Sequence, residues 1–238
     1  MKQILFVSGV GRSGTSALVN VLNAHPRVLI GQERFFKTIR RGDLKPGHFD
    51  RARFLDVRTE DTHEDAGLKL RGADPATRYD AAQIVGEKFP SLFRHFETIF
   101  TRFPEAQHLY IFRNPLSVIE SYDARHANPD DNWKLTWQDG LDAWNESIGK
   151  VAALPPEMQA KFHLVRYETL YDSVANLNRM LAGLGLPELE KTKLAPFVKR
   201  FRELNVKPVP RRDDLRTNVA ENADWESYRK LCARVKQG

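Results

Sequence analysis

Residues 4–26 read ILFVSGVGRSGTSALVNVLNAHP, and the architecture turns on how this stretch divides. Residues 4–7 form a short continuous apolar run that soon meets glycine. That is the pattern of a strand buried on both faces of a parallel sheet. Ala17, Leu18, Val21, Leu22 and Ala24 recur at helical spacing. His25-Pro26 ends that helix, because the residue before proline is driven out of the helical region. Residues 27–31, RVLIG, read as a second strand. Strand, glycine loop, helix and strand make a βαβ unit, whose crossover is right-handed and whose strands are parallel.

Further along, AAQIVGEKFP (81–90) reads as a strand ending at Gly86. In SLFRHFETIFTRFP (91–104), Leu92, Phe93, Phe96, Ile99, Phe100 and Phe103 are spaced for one helix. HLYIFRNP (108–115) is a strand, and Asn114-Pro115 opens a helix with an N-cap asparagine and proline at the first helical position. Trp137, Leu141, Trp144 and Ile148 mark a long helix; KFHLVRYE (161–168) is another strand. Residues 174–184 form a helix ended by Gly185. Residues 209–230 read as a charged loop feeding a last helix. The polar stretch 37–80 is long for a connection, which predicts short helices or a substrate-facing insertion. No linker interrupts the pattern. The expectation is one α/β domain over residues 1–238, a P-loop-type three-layer fold with a central parallel sheet flanked by helices.

Composition sets the broad class. Hydrophobic residues are 41% of the 238, which favours a globular chain over a disordered one. The formal charge of +6 favours anionic ligands. The one cysteine, Cys232, can form no internal disulfide and no thiolate metal site alone, so a reducing cytoplasm is expected. The N-terminal apolar run is too short for a secretory signal, and no run approaches a membrane span.

The loop GVGRSGTS (9–16) fits two glycine templates. Gly9, Gly11 and Gly14 match the dinucleotide fingerprint G-x-G-x-x-G. Gly9 and Gly14 followed by Ser16 nearly match the nucleotide-triphosphate loop G-x-x-x-x-G-K-[ST], but Thr15 replaces its lysine and a cation, Arg12, sits three residues earlier. Such a loop aims backbone N–H groups and a helix N-terminus at an anion. Three anions compete. A triphosphate with Mg²⁺ needs an acidic residue at the tip of a second strand, where HLYIF is followed by Arg113. A dinucleotide needs an acidic residue about 20 positions on, and Glu33 meets that spacing, but Arg12, Thr15, Ser16 and Arg113 are left without a role. A nucleotide with separate phosphates at its two ends uses the glycine loop and the arginine strand together.

The third reading coincides with a family likeness. GVGRSGTSALVNVLNAHP resembles the 5′-phosphosulfate loop and helix of sulfotransferases that use 3′-phosphoadenosine 5′-phosphosulfate (PAPS). YIFRNPLSVIESY (110–122) resembles their 3′-phosphate segment, an arginine ending a strand and a serine eight residues later, here Arg113 and Ser121. KFHLVRYETLYDSVANLNRMLAGLGLP (161–187) is similar to their late YED-L segment and helix. The closest likeness is to the tyrosylprotein and heparan sulfate branches. Their glutamate after the HP that ends the first helix falls on Glu33, in IGQERFF, and their lysine before proline on Lys88, in GEKFP. The tyrosylprotein pattern has an arginine two residues past the base, where this chain has Phe35, so an acidic peptide acceptor does not fit.

The resemblance implies transfer of a sulfuryl group from PAPS to a hydroxyl or amine, leaving adenosine 3′,5′-bisphosphate, with no metal. It implies cofactor contacts from Gly11, Arg12, Ser13, Gly14, Thr15, Ser16, Arg113 and Ser121. It implies catalytic roles for Arg12 and Lys88 as cations on the transferring group and for Glu33 as base. Glu87 is a rival base, though strand alternation points it away from Lys88. His63, His95 and His126 stand in no matching motif. Arg211 and Arg212 either close over the nucleotide or are solvated. Phe35-Phe36 and Trp133/Trp137 line an acceptor pocket or belong to the core. The acceptor, a small molecule, carbohydrate or lipid, carries no motif, and neither does the oligomeric state. The competing functions are a metal-dependent P-loop nucleotide kinase and a non-catalytic nucleotide-binding module. Nucleic acid is not expected as a partner, because aromatic-basic interleaving is lacking.

Overall fold

The computed structural model describes residues 2–62, 74–205 and 212–237. Five strands form one wholly parallel sheet in the order β2-β3-β1-β4-β5. They are β1 (Gln3–Ser8), β2 (Val28–Gln32), β3 (Ile84–Lys88), β4 (Gln107–Phe112) and β5 (Phe162–Arg166). The sheet is parallel because each pair of strands is joined through helices: α1 (Thr15–Asn23) leads from β1 to β2. Then come α2 (Phe36–Arg40), α3 (Arg51–Leu55) and α4 (Pro75–Ala81), the short helices expected between residues 37 and 80. After β3 the chain makes a 3₁₀ turn, Pro90–His95, and α5 (Phe96–Arg102). From β4 the chain enters α6 (Pro115–His126), α7 (Trp137–Ala152) and α8 (Pro156–Gln159). β5 is followed by α9 (Tyr167–Leu170), α10 (Val174–Gly183), α11 (Lys191–Asn205), α12 (Asp213–Asn222) and α13 (Trp225–Gln237).

Alternation along the strands divides the interior in two. Phe6, Leu29, Val85, Tyr110 and Phe112 pack under α5, α7, α12 and α13, with Trp144 fully buried. Leu5, Val7, Ile30, Ile84, Leu109 and Ile111 face the other way, under α1, α10 and α11. Two helical layers on one sheet are the three-layer fold expected. No helix among the described residues is long and apolar enough to cross a membrane.

Three elements differ from the sequence reading. β3 runs past Gly86 to Lys88, because Glu87 and Lys88 are buried where a charged pair reads as a loop. The single helix expected over 92–103 is broken, since His95 (φ −125°, ψ 13°) is non-helical between the 3₁₀ turn and α5. The C-terminal region holds α11, unassigned in the sequence and carrying Pro196 inside it, and two helices, α12 and α13, in place of one.

The strand order places a switch point at β1. The chain leaves β1 for the β2–β3 side and returns across it to β4. Ligands of open parallel sheets bind at the carboxyl ends of strands beside such a point. The loops after β1, β3 and β4 meet there.

Candidate active site

The glycine loop is shaped by close approach. Gly14 caps α1 with φ +97°, and a Cβ on it would lie 2.7 Å from Cδ2 of Tyr167. A Cβ on Gly11 would lie 2.8 Å from the Tyr122 hydroxyl. Only glycine lets the loop pass between these two rings. Gly14 has no side chain to cap with, so the first-turn N–H groups of α1 have no side-chain acceptor. The Ser13 amide is spent inside the loop, donating to the Val10 carbonyl at 3.2 Å, and does not point outward. Thr15 is buried and Ser16 exposed at the start of the helix.

Arg12 stands at the crown of this loop with φ +69°. Among the described residues only Arg12 and Glu33 are non-glycines with positive φ. That backbone region is costly for such side chains, and outliers of this kind gather at functional sites. Nε of Arg12 donates to Oγ of Ser121 at 3.0 Å, tying the loop to α6. Arg12 is exposed in area yet crowded. Loss of water around it, then the like charges of Arg125 and Arg113, pull its pKa below the usual arginine value.

Arg113 follows β4 and is held by its surroundings. Trp144 Nε1 donates to its carbonyl at 3.0 Å, and the next amide, Asn114, donates to Glu168 at 2.7 Å. Its guanidinium lies over the Tyr167 ring, 4.1 Å from the centroid, and Nη1 comes within 3.5 Å of the Arg12 carbonyl oxygen. Asn114 caps α6, accepting from Leu116, and so sets the helix that carries Ser121. Arg125, one turn beyond Ser121, makes paired bonds to Asp131 and stacks on Trp133, 4.4 Å from a ring centroid. Sequence reasoning gave no role to Tyr122, Arg125 or Tyr167. The i, i+4 spacing of Ser121 and Arg125 was the available signal for one of them.

Lys88 and Glu33 sit at the neighbouring strand tips. Lys88 is in register with Val7 of β1 and with Gln32 of β2, so β3 places it beside the root of the glycine loop. Its ammonium donates to Oε1 of Glu33 at 2.5 Å; the lysine side chain is 4% exposed and the glutamate 23%. The turn carrying Glu33 is fastened twice. Its N–H donates to the Lys88 carbonyl at 3.0 Å, and Thr62 Oγ1 donates to its carbonyl at 2.6 Å. Residues 33–34 and 87–88 therefore oppose one another, Glu33 with Lys88 as an ion pair and Arg34 with Glu87 as buried neighbours. Lys88 is buried against a Glu33 that is partly exposed, and Arg34 and Glu87 are both buried.

Neither oxygen of Glu87 has a hydrogen-bond partner among the described residues, nor do Nε and Nη1 of Arg34. Burial pushes the Glu87 carboxyl up to about 8, with the Arg34 and Lys88 charges opposing that rise. The folded state then holds a proton that the unfolded chain releases near 4.5, so stability falls as pH rises from about 4.5 to about 8. Glu87→Gln is expected to flatten that fall, gaining about 1 kcal/mol or more on wild type at pH 8 in urea titrations. An unchanged pH profile would show Glu87 charged and fully compensated.

The remaining candidates stand apart. Phe35 is wholly buried in the core against Phe54 and Phe49, while Phe36 and Trp137 are only partly covered. Phe36 meets Phe89, and Phe89 meets His95, with ring centroids 5.4 and 5.8 Å apart. His95 is half-buried in that aromatic group, and burial lowers its pKa. His126 is exposed at the end of α6. Arg212 bonds Asp123 on α6 and Asp214. His63 and Arg211 lie outside the described residues.

Residues 4–191 match the pattern of a family described as "Sulfotransferase family". Three solved structures are similar in fold. The sulfotransferase from Alicyclobacillus acidocaldarius is 19% identical, with a TM-score of 0.53, covering 91% of this chain and 99% of that one. The sulfotransferase domain from the Synechococcus PCC 7002 olefin synthase is 20% identical, with a TM-score of 0.56, over 88% and 86%. The sulfotransferase domain from the curacin biosynthetic pathway is 18% identical, with a TM-score of 0.53, over 82% and 78%. No curated protein matches the sequence.

Proposed function

The chain belongs to the sulfotransferase family, and from that premise we propose that it moves a sulfuryl group from PAPS to a hydroxyl or amine of an acceptor. The observation that carries this reading is the pair of strained non-glycine residues. Arg12 and Glu33, both at positive φ, stand at the tips of β1 and β2, on either side of β3, each bonded to a residue of the proposed machinery, Ser121 and Lys88.

The residues present fit such a donor. The glycine cradle between Tyr122 and Tyr167 has no room for a Cβ, and the start of α1 offers N–H groups to a 5′-phosphate. Thr15 and Ser16 add hydroxyls there. Arg113 and Ser121 are grouped for a second phosphate, and a guanidinium suits it because its fork matches phosphate oxygens. PAPS supplies the activated sulfur–oxygen bond. The protein supplies charge and position, the usual source of rate in transfers between oxyanions.

Arg12 and Lys88 place two cations where negative charge grows on the leaving oxygen. Glu33 takes the acceptor proton as the acceptor oxygen or nitrogen bonds to sulfur and the old sulfur–oxygen bond breaks. The contact to Lys88 aims that carboxylate. Two fixed cations do the work that Mg²⁺ does in kinases, so this chemistry needs no metal.

Calorimetry decides between this reading and a metal-dependent kinase. Adenosine 3′,5′-bisphosphate is expected to bind with chelator present, and ATP–Mg²⁺ to bind at least tenfold more weakly. Tighter binding of ATP–Mg²⁺, abolished by chelation, would transfer the site to kinase chemistry.

A further inference from the structure

The two edges of the sheet are finished differently. On β2 every outward-facing backbone group near the middle is answered. Asn23 donates to the Ile30 carbonyl at 2.9 Å and accepts from its N–H at 2.8 Å. Arg78 donates to the Val28 carbonyl at 2.7 Å, and the Val28 N–H donates to His25 at 3.2 Å. Such plugs stop a sheet from extending.

β5, the opposite edge, has no such plugs. The His108 N–H donates to the Lys161 carbonyl at 2.9 Å, and His108 is in register with Phe162. In a parallel ladder alternate residues bond the same neighbour. His163 and Val165 therefore turn their amides toward β4, and Phe162, Leu164 and Arg166 turn theirs outward. Thr169 bonds the Arg166 carbonyl at 3.3 Å. No other described group bonds the outward N–H or C=O of Phe162 or Leu164. Buried or half-buried backbone groups are nearly always paired, so a bare pair of residues on an edge calls for a partner.

A cavity of about 660 Å³ runs along this edge. α10 stands on one face of the sheet and α13 on the other, so the edge lies at the bottom of a slot between them. Phe162, Leu164 and Met180 give it an apolar floor. The charged residues lining it are Arg166, Arg179 and Arg234, and none is acidic. It lies on the far side of β5 from the glycine loop.

We propose that this slot binds an extended, acidic peptide segment of a partner protein, which adds to the sheet as a sixth strand. Backbone bonds to Phe162 and Leu164 give the register. Arg166 is already paired with Glu168 at 3.0 Å. Arg179 and Arg234, which among the described residues bond only the neutral Asn176 amide and Val151 carbonyl oxygens, select carboxylates. The strand is five residues long, room for roughly 16 Å of extended chain. A second copy of this chain fits poorly, because pairing two β5 edges brings like arginines face to face. The proposal is independent of the donor site.

The test uses the full chain and a short capped peptide of alternating glutamate and valine, followed by fluorescence anisotropy. Binding is expected, with the Leu164 amide slowing in hydrogen exchange. N-methylating the peptide at every glutamate amide, or at every valine amide, is expected to abolish binding in one register only. Arg179→Glu is expected to weaken binding about tenfold, and a lysine-for-glutamate peptide not to bind. No binding, equal loss in both N-methyl registers, or unchanged Leu164 exchange would overturn the proposal. So would an oligonucleotide binding better than the peptide, or a dimer that Arg179→Glu dissolves. Should Arg179→Glu fail to fold, the two N-methyl peptides on wild type still decide.

Discussion

Glu33→Gln is expected to leave binding of adenosine 3′,5′-bisphosphate unchanged and to cut sulfuryl transfer from PAPS by about 10²-fold or more. The measurement is turnover on whichever phenol, sugar or amine of an acceptor panel the wild type accepts, beside calorimetry of the bisphosphate. Glutamine keeps the shape of the side chain and can still accept from Lys88, so the turn at φ +59° and its bonds to Lys88 and Thr62 should survive. What is lost is the capacity to take a proton. The substitution also leaves a buried ammonium with a neutral partner, which costs stability, so thermal unfolding must accompany the assay. A folded variant with intact binding and lost turnover isolates the base. Turnover within a fewfold of wild type would move proton transfer elsewhere. The buried Glu87 is poorly suited to take over, since it faces Arg34 and has no surface exposed to an acceptor.

The parts of this molecule that are legible in sequence are those where one local rule suffices. The first βαβ unit follows from an apolar run, a glycine loop and a His-Pro stop, and the structure has it as β1, α1 and β2. The Asn114-Pro115 cap fixes the start of α6 in the same way. The rest depends on contacts between distant residues. Glu87 and Lys88 belong to a central strand only because Arg34 and Glu33 lie opposite, so charge in the sequence conceals a strand tip. The well-spaced helical pattern breaks at His95, whose ring packs on Phe89. The stretch around Pro196 carries no clear sequence signal and the dense charge of residues 209–230 reads as a loop feeding a last helix, yet Leu194, Phe201, Leu215 and Leu231, on α11, α12 and α13, are buried against the cores. For the site, motifs supplied Arg12, Glu33, Lys88, Arg113 and Ser121. Tyr122 and Tyr167, which wall the glycine loop, lie over 100 residues from it and are tied to it by packing alone.

Arg113→Ala is expected to weaken adenosine 3′,5′-bisphosphate by about 2 kcal/mol, near thirtyfold, with the 5′-monophosphate much less affected. The contrast between the two nucleotides matters more than the loss itself. A residue that merely braced the glycine loop would weaken both alike. Arg113 does touch that loop, through the 3.5 Å approach to the Arg12 carbonyl, so a bracing role is a real competitor. Its fixed pose favours the phosphate role. The Trp144 and Glu168 bonds hold both polar groups of the peptide that follows the residue, and the Tyr167 ring supports the face of the guanidinium. Little side-chain freedom is then left to lose on binding, which raises the net value of each bond formed. Arg113→Lys sharpens the result. It keeps the charge but lacks the planar fork and stacks less well, so it should recover only part of the affinity. Full recovery by lysine would reduce the contact to simple charge attraction. Equal affinity in the alanine variant would remove Arg113 from the 3′-phosphate and leave Ser121 and Arg12 to hold it.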